Sequence, residues 1–504
     1  MIAEQMRTAA SPAVARDADG MRAILERFLK SCRSPCLLEP GEELLPLTPD
    51  NFAVECKEGR LTIQAWNDTR NLMRRVVGIG EERRGRLEIV VERFARQVGQ
   101  MMLLDMARPE SQETGRRGGR LVFRERFRHL LTREFSAWNV AEISADPDLE
   151  HSLSPAFPRA LLRQGHSGIA AIAAPPEGMD PSLVLSFGLI WLDYLRRRER
   201  DMAIERLVLF LEVGTEDATC HRIPYLNSER VRCDVMAYST EDFAVRRDPR
   251  DYGNLDTKLE TFRRATPEAL SWVERLRLSP EVERVENNGG TLSLRVRGVE
   301  FARTSGNELL FGLRKRAAAR EHNLAEIEAL AAELISMRAS GGDGILYRQH
   351  PEEWLASQVR SNLDQIDASL RKAPLYNQAP ACLGGQRGLI DLLAVDHSGR
   401  LAVLELKASQ DIHLPLQALD YWMKVKWHLD RNEFASHGYF PGIELRKDPP
   451  KMLLVSPSLE FHPTSETILQ FISPQVEIER IGVGMHWREK LQVMFRMLGA
   501  EKPF

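Results

Sequence analysis

The sequence of 504 residues lacks the features that mark membrane-spanning, secreted and zinc-binding proteins. Its longest apolar stretch, 183–195, contains Asp193 and is too short to cross a bilayer. The six cysteines are scattered, and the close pair Cys32 and Cys36 has no second pair that would complete a zinc site, so reduced thiols are expected. Residues 1–4 lack a charged segment followed by an apolar one, so we expect no secretory signal and a cytoplasmic location.

Signatures of several enzyme classes are missing as well. No GxxxxGK(S/T) phosphate-binding loop occurs, so the chain is not expected to be an NTP-driven motor. Segment 165–169 approaches a serine-hydrolase elbow, but Ile169 stands where the closing glycine belongs. The net charge of −3 excludes a surface that is basic throughout, so any binding of nucleic acid must come from local patches.

Two arginine-rich segments are candidates for such patches. One is 116–120, which contains two glycines and is followed by Arg124, Arg126 and Arg128; the other is 196–200. Guanidinium groups beside glycines can approach a phosphate chain closely. A solvated surface without a partner is the alternative interpretation of both segments.

The most informative feature is a pair of short apolar segments, 388–395 and 401–407, joined by five residues. Both have the composition of buried strands. Three ionisable residues, Asp391, Glu405 and Lys407, nevertheless lie inside them. Charged side chains at buried positions need partners, so the placement of these three residues requires a chemical explanation.

The short connection predicts how the two strands pair. A three-residue hairpin loop with Gly399 in the left-handed conformation pairs Val395 with Leu401. Counting back along the ribbon then puts Asp391 directly opposite Glu405. Because side chains alternate between faces, both acids project from one side, with Cβ atoms roughly 5 Å apart.

Two carboxylates at that distance repel each other, and one takes up a proton unless a cation lies between them. Mg²⁺, or Mn²⁺ in its place, prefers carboxylate oxygens and keeps several waters, so it meets this need. Lys407 lies on the same side and could contact a metal-bound water or a phosphate oxygen. A purely structural group of ion pairs is the alternative interpretation.

Helical patterns flank the ribbon on both sides. Upstream, segment 351–366 has apolar residues at helical spacing, and Glu352 points with the apolar stripe. An acid at a helix start can also simply complement the helix dipole. Downstream, a helix is predicted to begin near Pro415, and it places Gln417 and Tyr421 four residues apart on one side.

Together these residues resemble the PD-(D/E)xK nuclease superfamily, within it the branch of recombination and repair nucleases that adds a Gln-x-x-x-Tyr helix. The resemblance covers about the last third of the chain, in the order helix, strand, hairpin, helix, strand. Ile390 precedes the first acid where the superfamily name has proline, a change that many members share. The matching positions are Glu352, then 388–391, then Glu405-Leu406-Lys407, then Gln417 and Tyr421.

The resemblance implies a role for each strand residue of the motif. Asp391 and Glu405 would hold Mg²⁺ or Mn²⁺ with the help of the backbone carbonyl of Leu406. Lys407 would orient or deprotonate the attacking water and steady the charge that develops on phosphorus. A phosphodiester needs such a metal because hydrolysis requires an activated water and neutralised charge.

The helix residues of the motif receive supporting roles from the same resemblance. Glu352 would be an outer ligand or a ligand of a second metal, and Glu353 is the other choice for this acid. Gln417 and Tyr421 would brace the lysine or contact the backbone of the nucleic acid.

The expected function is therefore metal-dependent hydrolysis of phosphodiester bonds in DNA, for repair, recombination or defence. DNA is favoured over RNA as the partner, no membrane partner is expected, and a protein partner or a homo-oligomer is compatible with the sequence. The alternative is a catalytically silent protein of the nuclease fold that binds nucleic acid or scaffolds a complex.

The expected fold class is α/β. A restriction-endonuclease-like core, with a mixed central sheet flanked by helices, is predicted for 345–504, after a glycine-rich linker at 340–344. A larger α+β region precedes it: an N-terminal segment at 1–110, an α/β unit for substrate binding or scaffolding at 111–265, and a connector of a β-hairpin and a helix at 266–340.

Two further patterns organise this larger region. Segments 52–66 and 285–296 each have a strand, a glycine turn and a second strand. They belong either to one sheet assembled from distant segments or to two unrelated hairpins. Strands at 169–174 and 206–213 on either side of a helix at 183–198 predict an α/β unit.

Overall fold

The structure, a computed structural model, describes residues 17–39, 44–66, 71–92, 98–239, 243–287, 290–339, 345–383 and 386–501. Its secondary structure is mixed α/β, as expected. The chain packs into two compact units. The described residues within Met1–Asp148, Ser154–Gln164 and Thr240–Ala244 form the first, and those within Leu149–Leu153, Gly165–Ser239 and Val245–Phe504 form the second. Across the described ranges, no helix is both long and apolar enough to cross a membrane.

The first unit is an antiparallel sheet with a helix packed on it. The sheet has the strand order β2, β1, β7, β6, β5, β4, β3. Strands β8 and β9 form a separate antiparallel pair. The bounds are β1 (Pro35–Leu38), β2 (Leu45–Pro46), β3 (Phe52–Lys57), β4 (Arg60–Trp66), β5 (Asn71–Arg83), β6 (Arg86–Glu92), β7 (Val98–Asp105), β8 (Asn139–Ser144) and β9 (Arg159–Gln164). The helices are α1 (Ala18–Ser31) and α2 (Pro109–Glu134). Leu25 and Phe28 of α1 are buried against Ile63 and Ile89 of the sheet.

The second unit begins with an α/β segment. Its elements are β10 (Ser167–Ala173), β11 (Ala203–Glu212), β12 (Arg232–Tyr238), β13 (Ala244–Arg247), α3 (Val184–Arg198), α4 (Asp217–Arg222) and the 3₁₀ turns Pro181–Leu183 and Ile223–Tyr225. Strands β10, β11 and β12 are parallel. Helix α3 packs on β10 and β11, and Gly188 lets it approach because a Cβ there would lie 2.9 Å from Leu209. The two strands and the helix predicted for this region are confirmed.

A second, antiparallel sheet follows in the same unit, which we call the middle sheet. Its strands run in the order β14 to β18, with bounds β14 (Val282–Asn287), β15 (Thr291–Val296), β16 (Val299–Ser305), β17 (Glu308–Phe311) and β18 (Ala317–Ala318). Helices α5 (Pro267–Glu274) and α6 (Leu324–Met337), with the 3₁₀ turn Glu321–Asn323, pack on it and bury Val273 and Ile327 in its core.

The middle sheet decides the question left open for the two similar hairpins. Strands β3 and β4 belong to the sheet of the first unit, whereas β14 and β15 belong to the middle sheet. A single sheet built from both is therefore wrong, because each hairpin finds its further neighbours nearby in sequence. The predicted linker at 340–344 lies outside the described residues.

The last part of the chain is a mixed sheet, which we call the C-terminal sheet. Its order is β19-β20-β21-β22-β23-β24; β21, β22 and β23 are parallel, and the other pairs are antiparallel. The bounds are β19 (Tyr376–Leu383), β20 (Gln386–Val395), β21 (Leu401–Leu406), β22 (Lys451–Pro457), β23 (Ile478–Val483) and β24 (Val493–Leu498). The helices are α7 (Ile345–Arg348), α8 (Pro351–Ser361), α9 (Leu363–Ile366), α10 (Leu414–Asp430), α11 (Glu433–Ser436) and α12 (Ser465–Leu469).

Helices cover both faces of the C-terminal sheet. Leu355 and Val359 of α8 are buried with one face of the sheet, and Val425 and Leu429 of α10 are buried with the other. The single helix expected at 351–366 is wrong, since α8 ends just before Asn362 and α9 follows. The Asn362 side chain donates to the Gln358 carbonyl at 2.8 Å, and such side-chain bonds compete with the helical ladder.

The hairpin between β20 and β21 has the predicted register. Val395 pairs with Leu401, and Gly399 has φ +90°. Asp396 accepts backbone hydrogen bonds from Ser398 at 2.8 Å and Arg400 at 2.9 Å, which holds the loop in place. The register on which the candidate site depends is thus fixed by the turn itself.

The hairpin between β15 and β16 touches the start of α8. Gly298, in this turn, has φ +86°, and a Cβ there would lie 2.4 Å from the carbonyl carbon of Glu353. The close approach of two backbones is possible because glycine has no side chain. The middle sheet therefore sets the position of the helix end that carries Glu352.

We expect Gly298→Ala to lower the midpoint of thermal unfolding, because alanine at positive φ costs about 1 kcal/mol and the clash with α8 adds to it. Gly306→Ala is the matched control. Gly306 lies in the next turn of the same sheet with φ +56°, and nothing lies within 4 Å of the place that a Cβ would take there. Equal midpoints for the two variants, measured by differential scanning fluorimetry, would show that the close approach to α8 does not contribute to the cost of the substitution.

Candidate active site

The candidate site lies where β20 and β21 approach the end of their pairing. Leu393 pairs with Val403, and both are buried beneath α10. Alternation of side chains puts Asp391 and Glu405, two residues further along each strand, on this same face. The Oδ2 of Asp391 accepts a hydrogen bond from the backbone N–H of Leu406 at 2.8 Å. The acid of one strand is thereby tied to the backbone of the other.

Glu405 is the most deeply buried carboxyl group of the site, with 1% of its surface exposed. Its Oε2 has no hydrogen-bond partner among the described residues. Burial raises the pKa of Glu405 well above its usual value, and the charge of Asp391 raises it further, while Lys407 opposes both. A buried carboxyl group with an unused oxygen beside a second acid is stabilised by protonation or by a cation.

The pKa of Asp391 is raised as well. Burial raises the pKa of Asp391 to about 6, although the hydrogen bond from Leu406 and the charge of Lys407 lower it. The negative charges of Glu352 and Glu353 also raise the pKa of Asp391. The two acids thus repel each other, as their predicted placement implied.

Lys407 follows β21, and its backbone N–H donates to the Val455 carbonyl at 3.0 Å. Its Nζ lies 3.7 Å from Glu352 Oε1, 4.0 Å from Glu405 Oε1 and 3.9 Å from Asp411 Oδ2. Burial lowers the pKa of Lys407, but the surrounding carboxylates outweigh burial and raise it overall. The amine is therefore held as an ammonium ion.

The structure distinguishes the two acids at the start of α8. Glu352 is 42% exposed and contacts the ammonium of Lys407, whereas Glu353 lies 3.5 Å from the His350 ring. Because α8 begins at Pro351, both acids lie in its first turn, where they also complement the helix dipole. Glu352 is the acid that reaches the cluster.

Asp411 is a site residue that the sequence interpretation missed. Its Oδ1 accepts from the backbone N–H of His413 at 2.7 Å, just before α10, and its Oδ2 faces Lys407. The sequence signal that could have identified Asp411 is its position four residues after Lys407, in the loop between β21 and α10. Four carboxyl groups therefore surround one ammonium group, counting Asp391, Glu405, Glu352 and Asp411.

Gln417 and Tyr421 lie one turn apart on α10 and bond to each other, with Nε2 of Gln417 donating to the Tyr421 hydroxyl at 3.2 Å. Tyr421 is buried; its burial and the charge of Glu405 raise the pKa of its hydroxyl. Both residues line a cavity of about 520 Å³ whose opposite wall comes from the α/β segment, including Ser182 and Thr215. The pair thus lies between the acid cluster and that cavity.

A buried ion pair fixes α10 against the α/β segment beside this cavity. Nε and Nη2 of Arg222 donate to the two carboxylate oxygens of Asp420 at 2.8 and 2.7 Å. Asp420 directly precedes Tyr421 in the chain. Bidentate arginine–carboxylate pairs fix orientation as well as distance, so this pair sets the rotation of α10.

A second, smaller cavity of about 70 Å³ opens on the other side of the acids. It is lined by the acids Asp391, Glu352 and Glu353, by two arginines, Arg295 of the middle sheet and Arg360 of α8, and by Asn377 of β19. The sequence interpretation singled out none of these last three residues, since no local pattern connects them with the motif.

The donor set can be compared with the needs of a divalent ion. Within the described ranges, no group of three or more His, Cys, Asp and Glu side chains is arranged to hold a metal. Mg²⁺ commonly binds through one or two carboxylates and keeps several waters, so it does not need such a cage. The unused Oε2 of Glu405 and the repulsion from Asp391 suit a cation of this kind.

Several arginines of the two arginine-rich segments already form ion pairs or hydrogen bonds. Arg124 and Arg128 of α2 both pair with Glu125, and the side chains of 109–117 lie outside the described residues. Arg196 of α3 donates to backbone carbonyls at 2.6 and 2.9 Å. None of the described residues that form the candidate site belongs to either segment.

Comparison of the chain with protein-family models, with curated proteins and with solved structures found no match. The resemblance to the PD-(D/E)xK superfamily therefore stays a prediction made from the motif. The chemistry must be inferred from the residues of the site.

We expect Asp391→Asn to stabilise the metal-free protein near pH 8, because asparagine carries no charge that burial would disfavour. The gain should be up to about 3 kcal/mol, which corresponds to a shift of about two units in the pKa of Asp391. A carboxyl group whose pKa is raised by folding contributes stability that is fully present below its unfolded pKa and is lost as the pH rises through its folded pKa, here about 6. The gain should therefore shrink towards pH 4.

Urea unfolding of wild type and variant in EDTA at several pH values measures this difference. Asp448→Asn, which changes an exposed acid paired with Arg446, is the control and should alter stability little. A destabilised Asp391→Asn near pH 8 would mean that Lys407 already compensates the acid fully.

Proposed function

We propose that this protein is a metal-dependent nuclease of the PD-(D/E)xK type that hydrolyses phosphodiester bonds in DNA. The observation that carries the proposal is the convergence of Glu405, Asp391 and Lys407 at one end of a β ribbon, joined by Glu352 from α8. Acids that repel each other in a buried place are costly for stability, so a chemical role explains their presence better than a structural one.

The surrounding fold supports the proposal. The C-terminal sheet is mixed and lies between α8 and α10, which is the arrangement expected of a restriction-endonuclease-like core. In this arrangement the strand acids come from the hairpin β20–β21, the helix acid from α8, and the Gln-x-x-x-Tyr pair from α10.

Asp391 and Glu405 would hold the divalent ion, with the backbone carbonyl of Leu406 as a third protein ligand. Mg²⁺ or Mn²⁺ bound there would lower the pKa of water and neutralise charge at the phosphate. The hydrogen bond from Leu406 N–H holds Oδ2 of Asp391, so Oδ1 would be the oxygen available to hold the ion. Burial excludes water from Glu405 and so strengthens its attraction for a cation.

Lys407 would act as a donor. The neighbouring carboxylates raise its pKa, so its Nζ carries a proton and can donate to the attacking water or to a phosphate oxygen. We therefore favour orientation and charge stabilisation over deprotonation, the other role that the resemblance offers. Glu352, the most exposed member, is suited to an outer position where water and substrate exchange.

Gln417 and Tyr421 would support the site from α10. Their side chains bond to each other rather than to Lys407. They line the cavity of about 520 Å³, so contact with a nucleic-acid backbone fits their position better than bracing the lysine.

The biological setting is proposed on chemical grounds. The site acts on a phosphate backbone, for which we favour DNA in repair, recombination or defence. Cys32, Cys36, Cys56, Cys220 and Cys233 are free thiols, as in a reducing compartment, and we propose the cytoplasm.

We expect the purified full-length protein to cleave single-stranded, duplex or branched DNA in Mg²⁺ or Mn²⁺ and not in EDTA. Asp391→Asn, Glu405→Gln and Lys407→Ala should each reduce the rate by at least about a hundredfold, the usual cost of removing a group that stabilises the transition state. Gel assays of labelled oligonucleotides, with RNA included, measure the rates.

Lys426→Ala is the matched control for Lys407→Ala. Lys426 lies on α10 and pairs with Asp430 at 2.6 Å, away from the acid cluster. Full activity of Lys407→Ala would contradict the proposal. Binding of DNA without cleavage in any metal would favour the catalytically silent alternative.

A further inference from the structure

Arg295 is an unusual residue of the middle sheet because it is charged, 5% exposed and incompletely bonded. Its Nη2 donates to Asn287 Oδ1 at 3.3 Å and lies 3.9 Å from Glu300 Oε2. Its Nε has no hydrogen-bond partner among the described residues. A guanidinium group has five N–H donors, and leaving a buried donor unused is costly.

Arg360 of α8 faces the same small cavity. Its Nη1 donates to Asn377 Oδ1 at 2.8 Å, and its Nη2 donates to Glu283 Oε2 at 2.6 Å. Burial lowers the pKa of Arg295, and the charge of Arg360 lowers it further, while the charges of Glu300 and Glu283 oppose both. Arg295 is buried and Arg360 is partly buried, and like charges placed in this way are relieved further by an anion between them.

The carboxylates of the cavity do not provide this anion. Within the part of the chain that the structure describes, Arg295 pairs only with Glu300, and Arg360 only with Glu283; neither forms an ion pair with the lining acids Asp391, Glu352 and Glu353. The cavity therefore has an acidic wall and a basic wall. Its volume of about 70 Å³ is far below that of a pocket for a whole small ligand and suits a single group such as phosphate.

The basic wall continues into a larger cavity. Arg360 and Asn377 also line a space of about 690 Å³. Arg264, Arg284 and Lys372 add positive charge there, and Glu283 and Glu286 are the acids of its lining. A chain of phosphates could thus extend from the small cavity along the junction of the middle and C-terminal sheets.

We propose that Arg295 and Arg360, with the Asn377 amide, bind a backbone phosphate of the nucleic acid next to the phosphate that is cleaved. Planar guanidinium groups match phosphate oxygens in pairs, and Asn377, whose Oδ1 accepts from Arg360, offers Nδ2 as a further donor. The inference rests on the proposed nuclease function. It gives the middle sheet a direct part in positioning the substrate.

The test measures binding separately from cleavage. A fluorescein-labelled single-stranded DNA oligonucleotide is titrated by fluorescence anisotropy in Ca²⁺, at several salt concentrations, with the full-length protein. Arg295→Gln should weaken binding about tenfold and reduce the slope of log affinity against log salt by about one, because one phosphate contact is lost. Arg295→Lys should recover part of the affinity, since it keeps the charge but not the planar fork.

Arg303→Gln is the matched control. Arg303 belongs to the same sheet and pairs with the same Glu300 at 2.8 Å, but it is 49% exposed and does not line the cavity. Its affinity and salt slope should equal those of the wild type. If Arg295→Gln does not melt cooperatively, that variant is not folded and its binding is not interpreted. The test then rests on the DNA affinity of Arg295→Lys and on the rise in melting temperature that inorganic phosphate gives the wild type.

The outcomes separate this inference from the proposed function. Cleavage by the wild type together with unchanged binding by Arg295→Gln, or by Arg295→Lys where that variant decides, would overturn the phosphate site and leave the nuclease intact. Absence of cleavage, with phosphate protection that depends on Arg295, would support an anion site in a protein that is not a nuclease. Absence of both cleavage and phosphate protection would overturn both.

Discussion

The repulsion between the buried carboxyl group of Glu405 and the partly buried one of Asp391 is the constraint on which the rest of the site depends. Asp391 and Glu405 are held on facing strands of one hairpin, and burial raises the pKa of each. Lys407 provides a single positive charge, which it shares among several carboxylates. Such an arrangement persists only if the backbone cannot relax. Strand β20, which carries Asp391, lies between β19 and β21, and strand β21, which carries Glu405, lies between β20 and β22, so neither acid can move away without breaking a ladder.

Elements far away in sequence hold the remaining groups in place. The turn at Gly298 contacts the start of α8 and so positions Glu352, and the pair of Arg222 with Asp420 sets the rotation of α10. Arg360 pairs with Glu283 of β14 and joins α8 to the middle sheet a second time. The helices beside the acids are therefore positioned by residues from earlier segments of the chain, and Arg222 precedes its partner Asp420 by 198 residues.

The parts of this arrangement that follow from local rules could be predicted from the sequence. The loop length and Gly399 determine the hairpin register, and the alternation of side chains then places the two acids. Strand β24 and the break at Asn362 were missed, because neither has a pattern that stands out from its neighbours. Asp411 and Arg295 were missed for another reason: their roles depend on long-range packing, which single-sequence periodicity does not encode.

The ion pair between Arg222 and Asp420 has a consequence for how this protein can be divided. A fragment beginning at about residue 345 would contain the whole motif but would leave Asp420 without its guanidinium partner and expose the side of α10 that packs on the α/β segment. The motif-bearing third is thus no autonomous module. Transfer of this portion to another protein, by recombination or by engineering, would have to bring the α/β segment with it.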